Sequence, residues 1–267
     1  MGSVNWSTFG IVTLIVAVIA IIFAVLIVIV YKLCHVEEDK TVEVISEKLA
    51  GANCGGCGFT GCNAFAKALA EGKANLSMCG PTANENKAEI AKLLNLPFTA
   101  EEQAYAVVKC AGGLNSKNKF EYVGNEGCIA QIAFMGGKKV CPNGCLCGGT
   151  CASLCPYHAI TPSKDGVMVV NKALCEACGV CAKKCPKHII ELIPKSSKVY
   201  VACSTTCKGK EVVNTCKVGC ISCGLCEKAC KYGAIKLENN VPVIDYKKCV
   251  GCKACVSACR RKVIKEI

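Results

Sequence analysis

The sequence predicts an α+β protein with a single N-terminal transmembrane helix, a small helical module and two similar units of short helices and β-hairpins. Residues 11–30 form an uncharged apolar run, 27 of the 267 residues are cysteine, and one cysteine spacing recurs in the second half of the chain. These three observations predict a membrane anchor at 1–36, the helical module at 37–100, and the two units at 101–195 and 196–267.

The anchor is the run "IVTLIVAVIAIIFAVLIVIV", which as a helix would extend for about 30 Å, enough to cross a bilayer. A cleavable signal peptide is disfavoured, because no basic residue precedes the run and "YKLCHVEEDK" after it offers no small-residue cleavage site. Lys32 and Lys40 follow the run, whereas residues 1–10 contain no Lys or Arg. This asymmetry predicts one pass through the cell (cytoplasmic) membrane, with lipid around residues 11–30 and most of the chain on the cytoplasmic side.

Composition indicates that bound metal stabilises the rest of the chain. Seven Phe, seven Tyr and one Trp provide few large side chains for the cores of several small domains. Disulfides are disfavoured by the odd number of cysteines, the many Cys-x-x-Cys pairs and the lack of a secretory signal. Thiolate ligation restricts the metal to zinc or iron–sulfur clusters.

The helical module contains four cysteines. "ANCGGCGFTGC" provides Cys54, Cys57 and Cys62, and "MCGP" provides Cys79. "NAFAKALAEGKANL" and "NENKAEIAKLLNLP" have helical patterns, and "EEDKTVEVISEKLA" before them resembles a short helical connector. The four cysteines predict one metal site, for which the spacing alone leaves zinc as an alternative to a [4Fe–4S] cluster.

Three regular cysteine runs carry the strongest signal. "CEACGVCAKKCP" has the C-x2-C-x2-C-x3-C-P spacing of bacterial ferredoxins. The three runs are Cys175, Cys178, Cys181 and Cys185; Cys220, Cys223, Cys226 and Cys230; and Cys249, Cys252, Cys255 and Cys259. Three cysteines of a run ligate one [4Fe–4S] cluster and the fourth ligates its partner cluster, an arrangement that zinc does not require. The runs therefore predict two bacterial-type ferredoxin units of (βαβ)2 form, with hairpins in "AITPSKDGVMVV" and "AIKLENNVPVI".

An internal repeat relates these two units. From Cys128, steps of 13, 4, 6 and 4 residues lead to Cys141, Cys145, Cys151 and Cys155; from Cys203, the same steps lead to Cys216, Cys220, Cys226 and Cys230. The stretch "CPNGCLCGGTCASLCP" is therefore a variant cluster run. We expect Cys147 to replace the middle ligand that Cys223 provides in the regular run.

The crossed spacing predicts five ligand sets. They are Cys54, Cys57, Cys62 and Cys79; Cys175, Cys178, Cys181 and Cys155; Cys145, Cys147, Cys151 and Cys185; Cys220, Cys223, Cys226 and Cys259; and Cys249, Cys252, Cys255 and Cys230. The repeat then leaves Cys128, Cys141, Cys203 and Cys216 for a sixth cluster between the units. In the alternative assignment, Cys141 ligates the variant cluster and Cys110 or Cys207 ligates the sixth.

The charge distribution indicates a protein partner. Five clusters of about −2 each would lower the formal net charge of +12 to about +2, which removes most of the basis for nucleic-acid binding. Residues 200–267 hold 13 Lys or Arg against 5 Asp or Glu. The basic residues around the last run are Lys247, Lys248, Lys253, Arg260, Arg261 and Lys262. They indicate either a docking surface for an acidic protein partner or a solvated face that keeps the protein soluble.

An anchor followed by "ANCGGCGFTGC…CGP" and two ferredoxin repeats resembles the B subunit of the Rnf complex, an ion-translocating ferredoxin:NAD⁺ oxidoreductase, in its longer form. This chain departs from that pattern at Cys147 and Cys207, and at Lys231 and Arg260, where proline is usual. The resemblance implies an iron–sulfur subunit that accepts electrons from soluble ferredoxin. Partner subunits would receive them, reduce NAD⁺ and translocate Na⁺ or H⁺.

The chain has no G-x-G-x-x-G motif after a strand and no phosphate-binding G-x-x-x-x-G-K-[ST] motif. We therefore predict no catalytic residue and no nicotinamide or flavin site of its own. Two other classes remain open from the residues: an iron–sulfur subunit of another membrane oxidoreductase, and a zinc-stabilised membrane scaffold.

Overall fold

The computed structural model describes residues 6–34, 40–100 and 102–267. The chain forms two compact units, Met1–Glu43 and Val44–Ile267. The expected domain boundaries at residues 36 and 101 lie outside the described residues.

Helix α1 covers Trp6–Cys34. Its segment Gly10–Lys32 is long and apolar enough to cross a membrane, with a mean hydropathy of 3.5. All side chains from residue 10 to residue 32 are exposed, as expected for an apolar helix that contacts lipid and not the rest of the protein. The predicted long apolar helix at the N-terminus is confirmed.

The helical module contains α2 (Lys40–Lys48), α3 (Cys62–Ala70), a 3₁₀ turn at Leu76–Met78 and α4 (Asn84–Leu93). Ile45, Phe65, Leu69 and Ile90 are fully buried and form its small core. The helices expected in this region are present, and α4 ends four residues before Pro97.

The first ferredoxin-like unit begins with β1 (Ala104–Val108), followed by α5 (Cys128–Ala133) and α6 (Thr150–Ser153). The elements that follow are β2 (Ile160–Pro162), β3 (Met168–Val170), α7 (Val180–Lys184) and β4 (Ile190–Pro194). Strand β1 pairs antiparallel with β4, from Ala104 opposite Pro194 to Val108 opposite Ile190. Strands β2 and β3 form the expected hairpin.

The second unit repeats this topology. Its first elements are β5 (Val199–Val201), α8 (Gly209–Thr215) and α9 (Leu225–Ala229). They are followed by β6 (Ile235–Glu238), β7 (Val241–Ile244), α10 (Ala254–Ala258) and β8 (Ile264–Glu266). Strand β5 pairs antiparallel with β8, and β6 pairs with β7. The β6–β7 turn uses Asn239 and Asn240 with φ of 48° and 68°, the left-handed conformation that a tight two-residue hairpin requires.

Each unit has its own small hydrophobic core, and cysteines form part of both. The first core packs Ile189 and Ile193 with Cys145, Cys175 and Cys181. The second core packs aliphatic side chains with Cys203, Cys220, Cys226 and Cys255. Because so many core positions are thiols, a group that bound them would also help to hold each unit together.

Candidate iron–sulfur sites

All cysteines from Cys54 to Cys259 are free thiols. In the described part of the chain, no three Cys, His, Asp or Glu side chains converge closely enough to hold one metal ion. Twelve of the cysteines instead line small cavities, and thiols spread around a cavity suit a cluster better than a single ion.

Three cavities of closely similar size are each lined by four cysteines. The variant site has Cys128, Cys145, Cys151 and Cys185; the bridging site has Cys110, Cys141, Cys203 and Cys216; and the regular site has Cys220, Cys223, Cys226 and Cys259. Each of the three cavities has a volume of about 20 Å³. Four thiols around each of three equal cavities fit the ligand set of a [4Fe–4S] cluster.

The regular site and its neighbour, the terminal site (Cys249, Cys252, Cys255 and Cys230), are arranged as the expected crossing requires. Helix α9 contains Cys226 and is followed directly by Cys230, whereas α10 contains Cys255 and is followed directly by Cys259. The two helices pack together, which suits the prediction of one thiol from each to its own site and one to the other. Backbone N–H groups support the crossed thiols: Ala234 N donates to Cys230 Sγ and Val263 N to Cys259 Sγ, both at 3.3 Å.

The inner site consists of Cys175, Cys178, Cys181 and Cys155. Burial raises the pKa of the Cys178 thiol, and the nearby Cys54, Cys155 and Cys175 raise it further. The backbone N–H of Ala106, on strand β1, donates to Cys175 Sγ at 3.4 Å. The sheet edge therefore provides a hydrogen bond to a candidate ligand, as is common around iron–sulfur clusters.

The module site (Cys54, Cys57, Cys62 and Cys79) packs against the inner site. A Cβ atom added to Gly56 would lie 2.1 Å from the carbonyl oxygen of Cys178, and one added to Gly80 would lie 2.3 Å from that of Ala177. These two glycines therefore permit direct backbone contact between the loops. Tyr157 lies close to Cys54 and Cys178, and its pKa is raised mainly by its burial.

The variant site differs from the regular site at Gly148, which occupies the position that Cys223 has in the second unit. A Cβ atom at Gly148 would lie 2.1 Å from the carbonyl oxygen of Glu126 and 2.7 Å from the nitrogen of Cys128. The start of α5 thus fills the space of the absent side chain. Cys128, whose N–H donates to Thr150 Oγ1 at 2.8 Å, lines the cavity.

Cys147, the ligand expected from the repeat, does not line the variant cavity. It has a positive φ of 60°, and its thiol lies 3.6 Å from the carbonyl oxygen of Cys145. A hydrogen bond from the Cys145 side chain lowers the pKa of Cys147. The structure therefore favours Cys128 over Cys147 as the fourth ligand of the variant site. Cys147 lies beside this site but not on the wall of its cavity.

The bridging site joins the two ferredoxin-like units. The Cys145 N–H donates to Cys110 Sγ at 3.4 Å, and the Cys220 N–H donates to Cys203 Sγ at 3.5 Å. Cys110 and Cys203 each follow the first strand of their unit by two residues, after Val108 and Val201. The structural counterpart of Cys203 is therefore Cys110, whereas the equal steps in sequence had indicated Cys128.

An insertion explains this difference. Cys110 precedes Cys141 by 31 residues, whereas Cys203 precedes Cys216 by 13. The longer connection in the first unit contains α5 and takes Cys128 to the variant site. The sequence signal that could have identified Cys110 is the strand-like segment, rich in valine, that precedes both Cys110 ("AYAVVKC") and Cys203 ("KVYVAC"). Cys207, the other alternative, does not line the bridging cavity.

Burial controls the thiol chemistry at these sites. It raises the pKa of Cys141 and of Cys203 to about 11, and that of Cys151 to about 12. These thiols are therefore protonated at neutral pH unless a metal displaces the proton. The positive charge of bound iron would offset the cost of burying four thiolates.

The basic residues around the last run are partly neutralised. Lys253 pairs with Glu266 at 2.6 Å and Lys248 with Asp245 at 3.5 Å. Arg261 donates to the carbonyl oxygens of Cys216 and Gly219 and is partly buried. The remaining basic residues, which are exposed and form no ion pair within the described residues, are Lys247, Arg260 and Lys262.

Comparison with known proteins agrees with these sites. Residues 49–81 match the family described as "Putative Fe-S cluster", and residues 219–263 match the 4Fe-4S dicluster domain. The chain is 39% identical over 241 residues to the B subunit of the ion-translocating oxidoreductase complex of Methanosarcina acetivorans, a match that covers 90% of this chain and 91% of the relative. It is 38% identical over 246 residues to the B subunit of the Na⁺-translocating ferredoxin:NAD⁺ oxidoreductase complex of Acetobacterium woodii, covering 92% and 74%. The proton-translocating counterpart of Clostridium ljungdahlii is 35% identical over 254 residues, covering 94% and 89%.

The fold, the cysteine sites and these matches define an iron–sulfur electron-transfer protein with a ferredoxin-type dicluster domain. The apolar helix at its N-terminus indicates association with a membrane. Within that class, the chain belongs to the family of B subunits of Rnf complexes, the ion-translocating oxidoreductases.

Proposed function

We propose that this subunit carries electrons from reduced ferredoxin, through six [4Fe–4S] sites, to partner subunits that reduce NAD⁺ and translocate Na⁺ or H⁺. A bound [4Fe–4S] cluster supplies a one-electron redox couple, which the chain positions and surrounds. The observation that supports the proposal most is that the six cysteine sets form a continuous series of neighbours.

The order of the sites follows from shared elements. The terminal and regular sites exchange ligands through α9 and α10. The regular site meets the bridging site through the Cys220 N–H bond to Cys203, and the bridging site meets the variant site through the Cys145 N–H bond to Cys110. Helices α6 and α7 join the variant and inner sites, and the Gly56 contact joins the inner and module sites.

We place the entrance at the second ferredoxin-like unit. Within the described chain, the exposed cysteines are Cys223 and Cys252, which belong to the regular and terminal sites. The unpaired basic residues lie near the same run. An acidic ferredoxin would be attracted to this surface, which increases the rate of encounter.

We place the exit at the module site, which follows the membrane anchor in sequence. The bulk of the chain would lie on the cytoplasmic side of the cell membrane, where soluble ferredoxin is available. Nicotinamide chemistry and ion movement would belong to other subunits. Relatives of comparable identity are named for different ions, Na⁺ in one case and protons in another, which supports assigning the choice of ion to those subunits.

Metal analysis of the anaerobically purified full-length protein tests this proposal. Six clusters predict about 24 iron atoms and as many acid-labile sulfides per chain. Cys203→Ser should lose about four of each, whereas Cys207→Ser, which alters a thiol outside the bridging cavity, should lose none. Zinc in place of iron, or an iron content near 12, would contradict the proposal.

Rapid-mixing kinetics test the electron path. Reduced ferredoxin should bleach all six clusters of the wild-type protein. In Cys203→Ser, the fast phase should fall to about one third of the wild-type amplitude, because only the terminal and regular clusters remain connected to the entrance. Fast reduction of all five remaining clusters in Cys203→Ser would show that electrons do not need to pass through the bridging site.

A further inference from the structure

The bridging site is closed on one side by a loop that the second unit lacks. This loop, Gly112–Ser116, lies within the long connection between Cys110 and Cys141, and both of its end residues line the cavity. Ser116 forms an isolated antiparallel bridge with Cys216. The loop is therefore fixed to the second unit next to two of the candidate ligands.

Ser116 brings a buried hydroxyl group to the cavity. Ser116 is 6% exposed, and its Oγ has no hydrogen-bond partner among the described residues. The Cβ of Ser116 and the sulfurs of Cys110 and Cys216 lie 3.3, 3.5 and 3.5 Å from the point where a Cβ of Gly112 would stand. A buried hydroxyl without a partner is unfavourable, so an acceptor is expected, and an anionic cluster with thiolate ligands provides sulfur acceptors.

Lys139 brings a buried ammonium group to the same loop. Lys139 is 4% exposed, and its Nζ donates to the carbonyl oxygens of Gly113 at 2.8 Å and Ser116 at 3.1 Å. Within the described chain, no carboxylate forms an ion pair with it. Lys139 lies close enough to Cys147 to lower the pKa of that thiol, and it does not itself line the bridging cavity. A [4Fe–4S] cluster in the bridging site, with about −2 from its core and four thiolates, would place a second negative group beside the loop that Lys139 holds.

We propose that Ser116 and Lys139 are positioning residues that raise the reduction potential of a cluster in the bridging site. Reduction adds one electron and makes the site more negative, so a donated hydrogen bond and a nearby cation stabilise the reduced form. The electron comes from the regular site, which ferredoxin supplies, and no bond forms or breaks. The bridging site can then hold an electron between the two units.

The inference rests on the proposed function, because it requires a cluster at this site. It is tested by redox titration of the full-length protein, followed by electron paramagnetic resonance. Ser116→Ala should make reduction of one cluster about tenfold less favourable, a shift of about −59 mV for a one-electron couple, with no loss of iron. Ser197→Ala is the matched control, because Ser197 is also buried and without a partner but lines none of the three cysteine cavities.

Lys139→Met should shift the same midpoint in the same direction. Its control is Lys138→Met, whose half-buried side chain is better screened by water and should have a smaller effect. Full iron content with unchanged midpoints in both Ser116→Ala and Lys139→Met would overturn this inference and leave the electron path intact. Wild-type protein lacking about four of the 24 iron atoms would instead count against the bridging cluster itself.

Discussion

The fourth thiol of the variant site is open to a direct test by comparing Cys128→Ser with Cys147→Ser. The structure places Cys128 on the cavity wall with Cys145, Cys151 and Cys185. We therefore expect Cys128→Ser to lose about four iron atoms and four sulfides per chain. Cys147→Ser should retain them, because its thiol lies outside that wall.

Gly148 permits a further test of the same site. A cysteine at position 148 would restore the regular spacing, but its Cβ would lie 2.1 Å from the Glu126 carbonyl oxygen, where ordinary contact begins near 3.4 Å. Relief of this overlap requires a backbone movement of about 1.3 Å. Overpacking of this kind costs about 1–3 kcal/mol. The clash is with backbone atoms that remain in Cys128→Ser, so the double variant Cys128→Ser/Gly148→Cys should not regain the lost iron.

The assay is anaerobic purification followed by iron and sulfide determination, with electron paramagnetic resonance of the reduced protein to count clusters. Loss of about four iron atoms from Cys147→Ser, with Cys128→Ser intact, would refute the structural assignment and support the one based on the repeat. Recovery of iron in the double variant would show that the segment around Glu126 moves to admit a ligand at position 148.

Two further predictions concern the entrance and the module contact. Reversal to Glu of the unpaired basic residues should slow ferredoxin oxidation about tenfold at low salt and have little effect at about 1 M salt. The residues to reverse are Lys247, Arg260 and Lys262, and the control reversals, elsewhere on the surface, are Lys67, Lys92 and Lys164. Equal rates in both triple variants would place the entrance elsewhere. Gly56→Ala should destabilise the protein by about 1–3 kcal/mol, lowering Tm by about 2–4 °C per kcal/mol, and should slow reduction of the module cluster. The control is Gly72→Ala, at a position in open space with a φ of 71°, which should lower the free energy of unfolding by about 1 kcal/mol without slowing reduction of the module cluster. Reduction of that cluster at the wild-type rate in Gly56→Ala would show that the Gly56 contact does not limit the transfer.

Local sequence determined the anchor, the regular cysteine runs and the hairpins of this protein. The apolar run at 11–30 needs only length and the absence of charge to form a membrane-spanning helix. The turn at Asn239 and Asn240 is equally local, because these residues accept the left-handed conformation that the hairpin requires. Cys226 lies in the short α9 helix and Cys230 directly follows it, so that their spacing of about one helical turn separates the ligand of the regular site from the crossed ligand of the terminal site.

Only the tertiary structure decided which of the irregular cysteines meet. The equal step of 13 residues paired Cys128 with Cys203, but a sequence step does not record the path of the chain through space. The 30 residues between Cys110 and Cys141 form a long connection that takes Cys128 to the variant site and leaves Cys110 after β1, in the place that Cys203 occupies after β5. The same connection buries Ser116 beside the bridging site. No local spacing could indicate this position, because it depends on packing between the two ferredoxin-like units.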